Sequence, residues 1–86
     1  MNRQDLLRAL DQESVPSDVY DLNGGLLPER LTIAMADGKW LVYYSERGRK
    51  KSLGEYETEE EACAFLYTEI MSMRDMWEHP SPGRPT

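Results

Sequence analysis

Four of the chain's ten basic residues crowd into one short stretch, as Arg47, Arg49, Lys50 and Lys51. Aromatic residues flank them, with Trp40, Tyr43 and Tyr44 before and Tyr56 after. Cations interleaved with aromatic rings are the residue types that grip a nucleic acid, the cations on phosphates and the rings under bases. The rest of the chain opposes that chemistry. Its formal net charge is -6, whereas a general duplex binder is normally basic overall. Residues 46–51 hold four basic residues and one acidic, and residues 52–79 hold one basic and eight acidic. The basic group is an island in an acidic protein.

Residues for catalysis are scarce. His79 is the one histidine and stands at the edge of a proline-rich tail, where nothing orients it as a general base. Cys63 has no histidine partner in reach of the pattern, and three glutamates precede it, which oppose a thiolate. It reads as a small packing residue. Clustered His and Cys ligands for a metal are absent, and there is no D-x-D-x-D-G loop for calcium. Gly24-Gly25 follows no strand and opens no helix, so it does not read as a phosphate cradle. The expectation is a protein that is not an enzyme and takes no cofactor or metal.

The elements that position these residues can be read from the pattern. At 86 residues the chain has room for one small core. Asn2 caps a first helix carrying Leu6, Leu7 and Leu10 at helical spacing, with Asp5 in its first turn. Pro16 ends it. "VYDLNGG" reads as a loop pinned to the core by Val19, Tyr20 and Leu22. Leu31, Ile33 and Met35 then alternate with Thr32, Ala34 and Ala36, a strand with one buried face. Asp37-Gly38 is a hairpin turn, and Trp40 to Tyr44 returns as a central strand, apolar or aromatic on both faces. "ERGR" makes a second turn, and a third strand runs from Lys51 to near Tyr56.

Thr58 and Glu61 have the spacing of a capping box, and Glu59, Glu60 and Glu61 fill the first turn of a long final helix. Ala62, Phe65, Leu66, Ile70, Met73 and Trp77 share one face of it. The predicted fold is α+β, in the order α-β-β-β-α, a three-stranded antiparallel sheet with the C-terminal helix across one face. Residues 1–79 form one domain and residues 80–86 a disordered Pro-rich tail. Tyr43 and Leu41 should lie on the opposite sheet face, covered by the first helix and the "VYDLNGG" loop.

The segment "DGKWLVYY…RGRKKSLGEYETEEEA" resembles the three-strand-plus-helix modules of plant AP2 factors and phage integrase arm-binding domains. Those insert a sheet rich in Arg and Lys into the major groove, whereas here only the turn is basic. Nearly the whole chain, through "VPSDVYDLNGG", "WLVYYSERG" and "TEEEAC", is similar to small bacterial immunity proteins of polymorphic-toxin and contact-dependent growth inhibition systems. That resemblance implies a non-catalytic protein that binds a toxin domain, many of which are nucleases with basic clefts, and occludes it.

An acidic surface complements such a cleft and speeds encounter with it. The candidate partner-binding residues are Asp21, Asp37, Glu46, Arg47, Glu55, Glu57, Glu59 and Glu60, set near turns and at the helix start. The alternatives are a nucleic-acid-binding module using Trp40, Arg47, Arg49, Lys50 and Lys51, and a regulatory interaction domain. With one cysteine, no long apolar run and no signal-peptide core in "MNRQDLLRAL", the expected location is cytoplasmic and the expected state a monomer or weak dimer. The basic residues are expected to pair with the protein's own glutamates or with acidic spots on a partner.

Overall fold

A computed structural model describes residues 1–25 and 27–78. Helix α1 spans Arg3–Gln12. A single 3₁₀ turn, Ser17–Val19, leads into the short strand β1, Tyr20–Asp21. Strands β2 (Arg30–Ala36), β3 (Lys39–Glu46) and β4 (Arg49–Tyr56) follow. Helix α2 covers Glu59–Ser72 and α3 covers Arg74–Glu78. The architecture is α+β, as expected. The expected disordered tail, residues 80–86, and His79 lie outside the described residues.

The sheet departs from the three-stranded antiparallel expectation. It has four strands in the order β1-β2-β3-β4 and is mixed, because β1 joins β2 in parallel through Tyr20↔Leu31 and Asp21↔Thr32. Two residues leave no period to read, so a segment rich in Asn, Gly and Asp looks like loop alone. What makes Tyr20–Asp21 a strand is the free edge of β2, a long-range partner that offers unpaired backbone groups.

The hairpins follow local chemistry closely. Asp37 and Gly38 have φ of 53° and 77°, and Arg47 and Gly48 have 50° and 77°. Two successive left-handed residues make the tight turn whose twist matches antiparallel strands, and glycine takes the second position without strain. The β2–β3 register runs without interruption from Arg30↔Ser45 to Ala36↔Lys39. The third strand begins two residues earlier than Lys51, because Arg49 pairs with Glu46 as soon as the turn closes. The β3–β4 register shifts between Val42 and Tyr43, so Leu53 is an extra residue in a bulge.

Both α1 and α2 lie on one face of the sheet. Leu6 and Leu10 of α1 and Ala62, Cys63, Leu66 and Ile70 of α2 share a buried cluster with Leu31, Ile33 and Val42. Tyr20 and Leu22 join it, so the anchoring residues act as read. Two members of the expected apolar stripes do not. Leu7 is 42% exposed and Met35 61% exposed. Leu7 sits one residue off the 3.6-residue seam that Leu6 and Leu10 define, and Met35 stands at the hairpin end beyond the reach of the helices.

The first helix therefore does not cover the opposite sheet face. The loop after β1, the other half of the expected cover, lies on it. The Tyr43 hydroxyl donates to the Gly25 carbonyl at 2.8 Å, and the Ser45 hydroxyl lies against the carbonyls of Leu27 and Arg30. Thr32 and Ser45 are fully buried there. A side chain at Gly24 would stand 3.0 Å from the Ala34 Cβ, so the loop lies on the sheet with glycine at the contact.

The long final helix is also broken. The Met73 backbone leaves helical geometry, and its amide bonds the carbonyls of Ile70 and Met71. After the break the Trp77 indole donates to the Ile70 carbonyl at 3.0 Å, and Arg74 reaches Glu13 at the end of α1 at 2.6 Å. The indole bond satisfies the Ile70 carbonyl near the end of α2, and the Arg74 bridge ties α3 to α1. Helical spacing alone continues through Met73 to Trp77 because both halves present the same side.

Candidate functional site

The sheet has two differently charged ends. At one, the Asp37-Gly38 turn stands beside the β4–α2 junction, because Trp40 pairs with Tyr56 and Lys39 reaches Glu55 at 3.6 Å. This end gathers Asp37, Glu55, Glu57, Glu59 and Glu60. At the other end, the β3–β4 turn carries Glu46, Arg47, Arg49, Lys50 and Lys51. An eight-residue strand separates them by roughly 23 Å, at ~3.3 Å per residue. Five of the eight candidate residues thus share the acidic end, Glu46 and Arg47 lie at the basic end, and Asp21 lies on the far edge strand.

Their environments differ. Asp37, Glu46, Arg47, Glu55, Glu57 and Glu60 are exposed. Asp21 and Glu59 are half-buried and already engaged. The two Asp21 oxygens accept from the backbone amides of Asn23 at 2.8 Å and Gly25 at 3.2 Å, which shapes the loop that covers Tyr43. Glu59 accepts from the backbone amide and Nε of Arg3 at 2.9 and 3.2 Å. Thr58 caps α2 by accepting from the Glu61 amide at 3.1 Å, while its hydroxyl donates to the Glu61 carboxylate. The Glu61 side chain takes that hydroxyl in place of the backbone amide a full capping box uses. The amino terminus lies 3.4 Å from Glu60. Among the described residues, Asp37 and Glu57 have no cation within 4 Å and remain open to a partner.

The basic end is equally open. Among the described residues, Arg47, Arg49 and Lys51 form no ion pair, so the expected pairing with the protein's own glutamates is absent. Even the cross-strand neighbours Glu46 and Arg49 do not close a bridge. Lys50 instead stacks over Tyr43, its Nζ 4.9 Å from the ring centroid. Trp40 lies near the acidic end under the Arg3 guanidinium, 5.1 Å from its ring centroid. The five residues of the nucleic-acid reading therefore do not form one surface.

Arg3 is the residue that pattern reading missed. It bridges to Glu59, stacks on Trp40 and donates to the Leu22 carbonyl at 3.2 Å, joining α1, α2, β3 and the loop. No local signal marks it, since each partner comes from another element. Beside it a groove of about 590 Å³ runs between the start of α1 and the loop after β1, with Leu7, Tyr20, Leu27 and Arg30 in its walls. Nε of Arg30 is buried without an acceptor, and one terminal nitrogen reaches the Ser17 carbonyl at 3.4 Å.

Cys63 is fully buried, and its thiol is pushed up to about 11 by burial first and then by the Glu59 carboxylate. It packs, as its position beside Ala62 indicates. Among the described residues no group of three or more His, Cys, Asp or Glu side chains is placed to hold a metal. No described helix is long and apolar enough to cross a membrane. Comparison with protein families, curated proteins and solved structures found no match, so the functional reading rests on the chain's own residues.

Proposed function

We propose that this chain is a non-catalytic binding protein of the immunity type, which occludes a cognate toxin domain by laying its acidic end on a basic cleft. The observation that supports this most is the pair Asp37 and Glu57. Both are exposed, neither is ion-paired among the described residues, and the β2–β3 turn and the β4–α2 junction bring them to the same end of the sheet as Glu55 and Glu60. Unpaired carboxylates on ordered backbone are suited to meet cations, because they lose no internal partner on docking. Their field also speeds encounter with a basic partner. A nuclease cleft, basic because it holds phosphates, is the partner surface with the matching charge. The expected location is the cytoplasm.

The test uses the full chain and a toxin domain encoded by an adjacent gene. Co-expression should silence the toxin and co-purify the two proteins. The D37K/E57K double variant should slow association about tenfold or more at low salt and leave the fold intact by circular dichroism. A toxin domain that is neither bound nor silenced sinks the reading. So does tight, salt-sensitive binding of the free protein to duplex DNA.

A further inference from the structure

We propose that the outer edge of β4 is a self-complementary docking strand that pairs antiparallel with the same strand of a second copy. This does not depend on the toxin reading. With the order β1-β2-β3-β4, β4 is hydrogen-bonded on one side only. Among the described residues no strand and no hydrogen bond reaches its other side. An open eight-residue edge is a ready template for another strand.

The occupant is identified by charge. The first half of β4 holds Arg49, Lys50 and Lys51; the second half holds Glu55, and Glu57 follows the strand. Lysines on an edge ordinarily keep other strands away. Here opposite signs occupy opposite halves, and antiparallel pairing about a two-fold axis brings each half against the other. In the register that places Lys50 opposite Glu55 of the second copy, Lys51 meets Gly54 and Arg49 meets the Tyr56 ring. Symmetry forms each of these contacts twice. A parallel arrangement would put like charges together along the whole strand.

The bulge makes this register possible. In a regular strand Lys50 and Glu55, five apart, would point to opposite faces. The extra residue Leu53 changes that. Lys50 pairs with Ser45 and Glu55 with Leu41, so both stand on the helix-free face. The Lys50 contact with the Tyr43 ring confirms its side. Lys50, Ser52 and Glu55 are all exposed, and the loop that covers this face reaches Ala34, Tyr43 and Ser45 but not β4. Among the described residues Glu55 is held by Lys39 alone, at 3.6 Å with both side chains more than half exposed, so it can take a second cation. The surface is small and polar, which sets the expectation of a weak, salt-sensitive dimer.

Sedimentation equilibrium of the full chain tests this without any partner. The wild type should dimerise at sub-millimolar concentration in low salt and dissociate in roughly 0.5 M NaCl, where screening is strong. K50E and E55K should each weaken the dimer about tenfold or more, since each turns two attractive contacts into two repulsive ones. An equimolar mixture of K50E and E55K should recover association, because across that hybrid both contacts are again of opposite sign. Both positions are exposed, and circular dichroism of each variant checks that the fold is kept. A wild type that stays monomeric at about 1 mM in low salt overturns the proposal. A dimer indifferent to K50E, or a mixture that shows no recovery, overturns it as well.

Discussion

Arg3 shows how much one side chain can join in a small protein. Its guanidinium touches Glu59, Trp40 and the Leu22 carbonyl, yet the side chain is partly exposed, which screens each contact. Replacing it with alanine should cost about 1 kcal/mol in urea unfolding, typical of a partly exposed charged hydrogen-bond network. Unchanged stability would mean that the three contacts add nothing over hydration. Leu66 is the contrasting case. It is fully buried between the helices and the sheet, and Leu66→Ala should cost about 2–5 kcal/mol by the same measurement. Leu66 was legible because its partners follow from helical spacing. Arg3 was not, because its partners are set by where three other elements come to rest.

Turns and caps act at the scale of elements, and there the reading of local sequence is most secure. Gly38 has φ of +77° and open space where a side chain would go. Gly38→Ala should therefore destabilise by about 1 kcal/mol through backbone strain alone, with no steric clash. Thr58→Ala should cost about 1 kcal/mol, since it strips the Glu61 amide of its acceptor at the start of α2. Thermal unfolding of both variants checks these values, and a neutral Gly38→Ala would show that the turn relaxes. The same local reasoning missed the parallel strand Tyr20–Asp21 and the break at Met73. Neither is written in local preference. One needs the exposed edge of β2, and the other accompanies the reach of Arg74 to Glu13 and of Trp77 to the Ile70 carbonyl.

For the whole molecule, the ionisable core predicts an alkaline limit. Burial raises the phenols of Tyr20, Tyr43, Tyr44 and Tyr56 above their usual value, with nearby carboxylates adding to it. The Cys63 thiol rises to about 11. All are neutral when protonated, and the folded chain holds those protons more tightly than the unfolded one. The stabilisation is complete below the ordinary thiol and phenol values and is lost as pH climbs through them toward the folded ones. The unfolding midpoint should fall between pH 9 and 11, followed by circular dichroism. A flat midpoint over that range would show that these groups ionise alike in both states. Cys63 should also resist a thiol reagent at pH 8 until the chain is unfolded.

Local sequence sufficed for the starts of α1 and α2, both hairpin turns, most of the core stripes and the separation of charge into a basic turn and an acidic remainder. Each depends on residues within a few positions of one another, so spacing and turn chemistry suffice. Tertiary structure decided what those charges face. It set Asp37 and Glu57 at one end of the sheet, put Trp40 under Arg3 far from the basic turn, engaged Asp21 and Glu59 internally, and gave Arg47, Arg49 and Lys51 no ion pair among the described residues. It also placed Lys50 and Glu55 on one face through a single extra residue. Those outcomes depend on strand register and on which element covers which face, and these are fixed only when distant parts of the chain compete for the same backbone edges and the same apolar surface.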